Sequence, residues 1–147
     1  MFKRIVVGTD GSDTADRAVE HATELAKSSG ATLDIVSAYA PVDEDRVRKE
    51  KKDVPDDVEH EFNPREEVNA TIDKAASKAK KSDIDVQSHP REGDPADAIL
   101  DVAEENSADL IVVGNKGMTG ARRFLLGSVP NKISHHAPCS VMIIRTT

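Results

Sequence analysis

The chain has 147 residues, long enough for one domain with a real core and no cross-links. Its formal charge of -7 argues against nonspecific nucleic-acid binding, which needs a basic face. With no Trp, one Tyr and three Phe, the core is expected to rest on Val, Ile, Leu and Ala.

"KRIVVGT" (3 to 9) is short, apolar and β-branched and ends at Asp10-Gly11-Ser12, the pattern of a buried strand and a turn. The chain enters this strand with no signal-type apolar region, and no later run approaches membrane-spanning length. The expected protein is cytoplasmic, with no membrane partner. From Asp13 to Ser29, Ala15, Ala18, Val19, Ala22, Leu25 and Ala26 recur at helical spacing, and Gly30 closes the helix. "TLDIVSA" (32 to 38) is the second strand. Residues 41 to 64 are charged and poor in apolar side chains, a variable excursion read as a surface loop or as a lid. Asp outnumbers Glu in the chain, as salt-adapted and merely soluble surfaces both allow.

The helical pattern resumes over 65 to 81 with Val68, Ile72, Ala75, Ala76 and Ala79 on one side. A weaker strand over 84 to 93 is broken by Pro90 and belongs toward a sheet edge. Asp94-Pro95 supplies a cap and a first-turn proline for a helix over 95 to 106. "ADLIVVG" (108 to 114) is the most apolar strand, 128 to 137 is a short helix, and "CSVMIIRT" (139 to 146) is the last strand. This alternation specifies crossover units, hence an α/β domain with a parallel sheet and helices on both faces. Ligands then gather at the carboxyl ends of the strands, where "TDGSD" and "GNKGMTG" lie.

The second loop carries a question of its own. Gly114, Gly117 and Gly127 bracket it, and Ser128 opens the next helix. Glycines admit a phosphate close to the main chain, and a helix start offers unsatisfied N–H groups with partial positive charge. Pro130 removes one donor and leaves those of Ser128, Val129 and Asn131, while Ser128 either caps the helix or gives its hydroxyl to phosphate. Gly120 adds little beyond a bend. Neither the Walker spacing nor GxGxxG is present, so the glycines alone leave a nucleotide site and a plain turn both open.

Three stretches together resemble the universal stress protein family: "RIVVGTDGSDTADRAVEHATELA", the spacing Gly114-x2-Gly117-x9-Gly127-Ser128, and "GSVPNKISHHAPCSVMIIR". The middle one is that family's nucleotide signature, G-x2-G-x9-G-[ST], and members carrying it typically bind ATP. The resemblance implies a single domain over 1–147 with a five-stranded sheet in the order 3-2-1-4-5, the adenine nucleotide α-hydrolase-like fold. It places Asp10 at the ribose or at a divalent ion such as Mg²⁺, and the main chain near Ala38 at the adenine edge. Gly114, Gly117, Gly127, Ser128 and Val129 would surround ribose and phosphates, with Thr9, Asn115 and Arg123 completing the expected binding set. The phosphates would rest on N–H groups from Gly127 to Val129.

Other residues invite weaker readings. Asp10 has an Asx-turn alternative, although Ser12 and Asp13 are better placed to cap the helix. Lys116 and Arg122, like Arg123, either meet phosphate or stay solvated. Tyr39 suits stacking on a base or ordinary packing. His135, His136 and Cys139 match no common zinc spacing, and one cysteine excludes an internal disulfide. In the last strand Val141 and Ile143 face one way, Met142 and Ile144 the other. Such a strand at an edge needs cover, from this chain's own helices or from a second copy; the resemblance implies a homodimer through Ser140-Arg145. The functional expectation is an ATP-binding regulator in stress response rather than a dedicated enzyme. The rivals are a slow ATP hydrolase or phosphotransferase and a nucleotide-free dimeric module.

Overall fold

The computed structural model describes residues 1–40, 64–115 and 127–146. In chain order these form β1 (Arg4–Gly8), α1 (Asp13–Ser29), β2 (Thr32–Tyr39), α2 (Pro64–Lys80), β3 (Val86–Glu92), α3 (Pro95–Glu105), β4 (Leu110–Gly114), α4 (Ser128–His136) and β5 (Ser140–Ile144). All four strand pairings are parallel, and the sheet runs β3-β2-β1-β4-β5. This is the order that the family resemblance implied. The charged excursion lies outside the described residues except for Pro64, which opens α2.

Strand alternation sorts the apolar side chains onto two faces. Ile5, Val7, Leu33, Ile35, Leu110 and Val112 meet the alanines of α1 and α2 on one side. Val6, Val36, Ile111 and Val113 meet Ile99, Val102 and Ala103 of α3 and Ile133 of α4 on the other. Every buried hydrophobic residue described is Val, Ile, Leu or Ala, as the composition required. Small helix side chains let the helices approach the branched strand residues closely.

Local chemistry ends the helices where expected. Ser12 has extended backbone and accepts from Ala15 N at 3.2 Å, while Gly30 takes the left-handed conformation that closes α1. Asp94 accepts from Asp97 N at 3.0 Å ahead of Pro95. That backbone hydrogen bond, aided by Lys132, holds the Asp94 carboxyl below its ordinary range. Lys132 of α4 also meets Asp97 at 2.8 Å, tying α4 to the start of α3.

β3 is an edge strand, but it runs through Pro90 instead of breaking there. Asp85 turns its carbonyl to Leu33 N at 2.9 Å, so alternation directs the missing donor of Pro90 to the free edge. β5 forms the other edge. Val141 and Ile143 lie on the α4 face and Met142 and Ile144 on the α1 face, and all four remain half-buried.

A charged cluster lies in the amino half of the sheet and reaches the middle of β3. The fully buried Asp34 carboxylate accepts from Arg4 Nε at 2.7 Å and Nη2 at 3.0 Å, and His89 Nε2 lies 2.7 Å away. Arg4 Nη2 also donates to Gln87 at 3.0 Å. Burial pushes the Asp34 pKa up, but the hydrogen bonds from His89 and Arg4 outweigh it and leave the group below its ordinary value. Nearby, the Asp109 carboxylate accepts from the N–H groups of Lys3 at 2.8 Å and Arg4 at 3.1 Å.

Candidate functional site

The strand order reverses between β1 and β4, and the helices that follow those two strands pack on opposite faces of the sheet. A hollow of about 140 Å³ lies there. Gly8, Thr9 and Asp10 at the end of β1, Val36, Ser37 and Ala38 of β2, and Val113 and Gly114 of β4 supply its base. Ser12 and Ala15 at the start of α1, Pro95 and Ile99 of α3, and Val129 and Pro130 of α4 supply its walls. The lining is mostly apolar with a few polar groups at one side, as a small-molecule site requires.

Three polar side chains of the first loop organise themselves. Thr9 Oγ1 accepts from Gly11 N at 3.1 Å, and Asp10 Oδ1 accepts from Ser12 N at 2.9 Å. Asp10 therefore makes the Asx-type bond, while Ser12 does the capping. The second oxygen of the exposed Asp10 carboxylate takes no hydrogen bond from the described residues, and Asp10 lines the hollow. Gly11 has φ +81, and a Cβ there would also press on Thr71 Cγ2 at 3.1 Å. Only glycine satisfies both conditions.

The start of α4 differs from those of α1 and α3. Gly127 is its N-cap, in extended backbone at φ -64 and ψ 169, and no side chain caps the helix. Ser128 is thus the first helical residue, and the capping alternative for its hydroxyl is closed. Gly127 N donates to Asn115 O at 2.9 Å, and Asn131 N donates to Gly127 O at 3.1 Å. Both were expected to serve as anion donors, and both are engaged by the protein itself. Pro130 has no N–H. That leaves Ser128 and Val129, whose N–H groups have no protein partner among the described residues.

The expected binding residues thus fall into three groups. Thr9, Asp10, Ala38, Gly114 and Val129 line the hollow together, and Gly127 and Ser128 stand beside it at the start of α4. Asn115 has a different task. Its N–H donates to Ile144 O at 2.9 Å, and its side-chain oxygen accepts from Thr146 N at 2.8 Å and Thr146 Oγ1 at 3.0 Å. Arg17 Nη1 donates to Thr146 O at 2.9 Å, so Asn115 joins the loop mouth to the tail of β5 and to α1. Gly117 and Arg123 lie outside the described residues, as do Lys116, Gly120 and Arg122.

Gly8, Val36, Pro95, Ile99 and Val113 also line the hollow, although no sequence motif singled them out. Being an apolar residue near the carboxyl end of a strand was the available signal for Val36 and Val113. Tyr39 does not line it. His135 and His136 are exposed with ring centroids 6.5 Å apart, and Cys139 is half-buried against the core beneath α3 and α4. Burial first, and Asp109 second, push the Cys139 thiol pKa up, which opposes thiolate chemistry. Among the described residues no group of three or more His, Cys, Asp or Glu is arranged to hold a metal ion. None of their helices is long and apolar enough to cross a membrane.

The model of the universal stress protein family matches residues 1–145. The chain belongs to the universal stress protein family. A universal stress protein of Mycobacterium tuberculosis is 37% identical over 147 residues, covering 99% of this chain and 98% of the relative. The solved structure of a universal stress protein in complex with cAMP shares 37% identity at TM-score 0.74, covering 99% of each chain. One from Archaeoglobus fulgidus in complex with dAMP shares 25% identity at TM-score 0.66, covering 97% of this chain and 98% of that one. The adenine nucleotide α-hydrolase-like fold expected from the sequence is thereby shown, and these two universal stress proteins of similar shape are each solved with an adenine nucleotide.

Proposed function

We propose that this universal stress protein binds ATP in the hollow at the carboxyl ends of β1, β2 and β4, and acts in the cytoplasm as a nucleotide-dependent regulator of stress response. One observation carries the reading: a mostly apolar hollow is walled by the start of α4, where the main-chain N–H groups of Ser128 and Val129 have no protein partner among the described residues. An anion meets both the unsatisfied donors and the positive end of the helix dipole there. The base then takes the apolar end, beside Ala38, Val36 and Ile99. Asp10 offers one carboxylate oxygen to the ribose or to Mg²⁺; an ion held by so few protein groups completes its shell with phosphate oxygens and water.

The enzyme reading has less support. No His, Lys, Arg or Cys lines the hollow, which leaves Asp10 as its sole ionisable side chain among the described residues. For assembly, the free edge of β5 with its half-buried apolar residues suits antiparallel pairing with a second copy. Cyclic AMP is the second reading of the ligand, because the relative solved with it is 37% identical over nearly the whole chain.

Calorimetric titration with ATP, ADP, AMP and cAMP tests both. Saturable binding tightest for ATP supports the first reading, tightest for cAMP the second, and no heat or thermal shift with any of them contradicts the nucleotide site. Repeated ATP turnovers that vanish in Asp10→Ala would restore the enzyme. In size-exclusion chromatography Ile143→Lys should convert dimer to monomer, whereas an unaltered dimer would show that the copies meet elsewhere.

A further inference from the structure

Gly8 ends β1 inside the hollow, yet it is not among the glycines with positive φ, so its backbone does not demand glycine. Space does. A Cβ built on Gly8 would collide with Cδ1 of Ile99 and stand 3.2 Å from its Cγ1. Ile99 comes from α3, one turn beyond Pro95, and both line the same apolar wall. It is 4% exposed and packs in the core cluster with Val36 and Val113. The tip of Ile99 thus lies in the notch that the missing side chain leaves, at the bottom of the hollow.

We infer that Gly8 and Ile99 form a matched pair that sets the depth of the apolar end, and so determines the size of the base that the site admits. This deepens the nucleotide reading and rests on it. With the notch open, Ile99 lies back against β1 and leaves room above it. With the notch filled by a methyl group, the Ile99 tip is displaced, and the space it turns into is the hollow, because packed strand residues close the other directions. Ile99 is a specificity-determining residue in this account, and Gly8 positions it.

The test is a compensating pair of substitutions read as nucleotide affinity. Gly8→Ala should weaken ATP binding about tenfold, the scale of one misplaced methylene in an apolar pocket. Ile99→Val removes the colliding atom but also a methyl of the wall, and should weaken ATP binding about threefold, less than Gly8→Ala does. The double variant Gly8→Ala/Ile99→Val should return to within about threefold as well, since the new methyl takes the vacated volume. Ile99→Ala should gain about tenfold for ATP derivatives carrying a benzyl group at N6 or C2, relative to ATP itself. Circular dichroism and thermal unfolding establish that each variant is folded; where Gly8→Ala is not, the derivative affinities of the two Ile99 variants decide. Unchanged ATP affinity in Gly8→Ala, a double variant no better than Gly8→Ala, or no gain for either derivative would overturn the pairing. An unsubstituted protein that binds no adenine nucleotide would instead overturn the functional reading and take this inference with it. The two failures are therefore distinct.

Discussion

The two ends of the sheet are built on opposite rules. Toward the amino ends, charge meets charge: Asp34 lies between Arg4 and His89, Gln87 accepts a further hydrogen bond from Arg4, and Asp109 is held by two N–H groups. At the carboxyl ends, apolar walls surround a hollow, and two N–H groups at the start of α4 are left with no partner among the described residues. A buried charge must be paired to be tolerated, so the first arrangement is satisfied within the protein, is costly to break and offers nothing to a ligand. Unpaired donors beside a hollow do the reverse. The contrast separates what holds the protein together from what it uses.

Substitutions should respect that division. The largest effect is expected for Asp34→Ala, which leaves Arg4 and His89 facing each other in a partly buried site. Chemical denaturation should show a loss of about 3–5 kcal/mol, with ATP affinity per folded molecule unchanged. A large fall in affinity would mean that the two ends are coupled. Gly127→Val should do the opposite. The extended backbone of Gly127 accepts a branched residue, so the fold should survive while the side chain crowds the two free N–H groups. ATP affinity should fall about a hundredfold, the scale of losing two hydrogen bonds to a charged group.

Asn115→Ala sharpens the boundary, because Asn115 belongs to the nucleotide signature's neighbourhood yet serves the tail of β5. It should cost about 1–3 kcal/mol, the penalty for leaving the Thr146 donors without their acceptor, as measured by thermal unfolding. The smallest effect is a dependence on pH. The pKa of Asp34 is lowered on folding, so its stabilising contribution is complete above the ordinary carboxylate range and is lost as pH falls through the lowered value. Asp34→Asn should therefore flatten the acid limb of the stability curve. An equally steep limb in that variant would assign the effect to other carboxylates such as Asp109, which is also lowered.

Much of the fold was legible because its signals are local. Ser12, Gly30, Asp94 and Pro95 act at the helix ends where their residue types act in general, and α1 begins and ends where the spacing places it. Strand ends were less legible, since pairing partners decide them. Ala108 reads as strand but gives its N–H to Ala103 at the end of α3. The Arg4–Asp34–His89 cluster left a trace in the aspartate amid the apolar run of β2, but its partners are 30 and 55 residues away. The site was legible where a motif marks it and illegible where two distant elements meet. Gly8 looks like any strand-end glycine until Ile99 is seen against it, and nothing near Asn115 announces Thr146.

In the function proposed, the N–H groups of Ser128 and Val129 receive an anion. Amide proton and nitrogen chemical shifts followed during ATP titration test it directly. The Ser128 and Val129 resonances should move downfield and saturate together, while those of Arg4, Asp34 and His89 stay in place. Saturating ATP with no response from Ser128 and Val129 would contradict it.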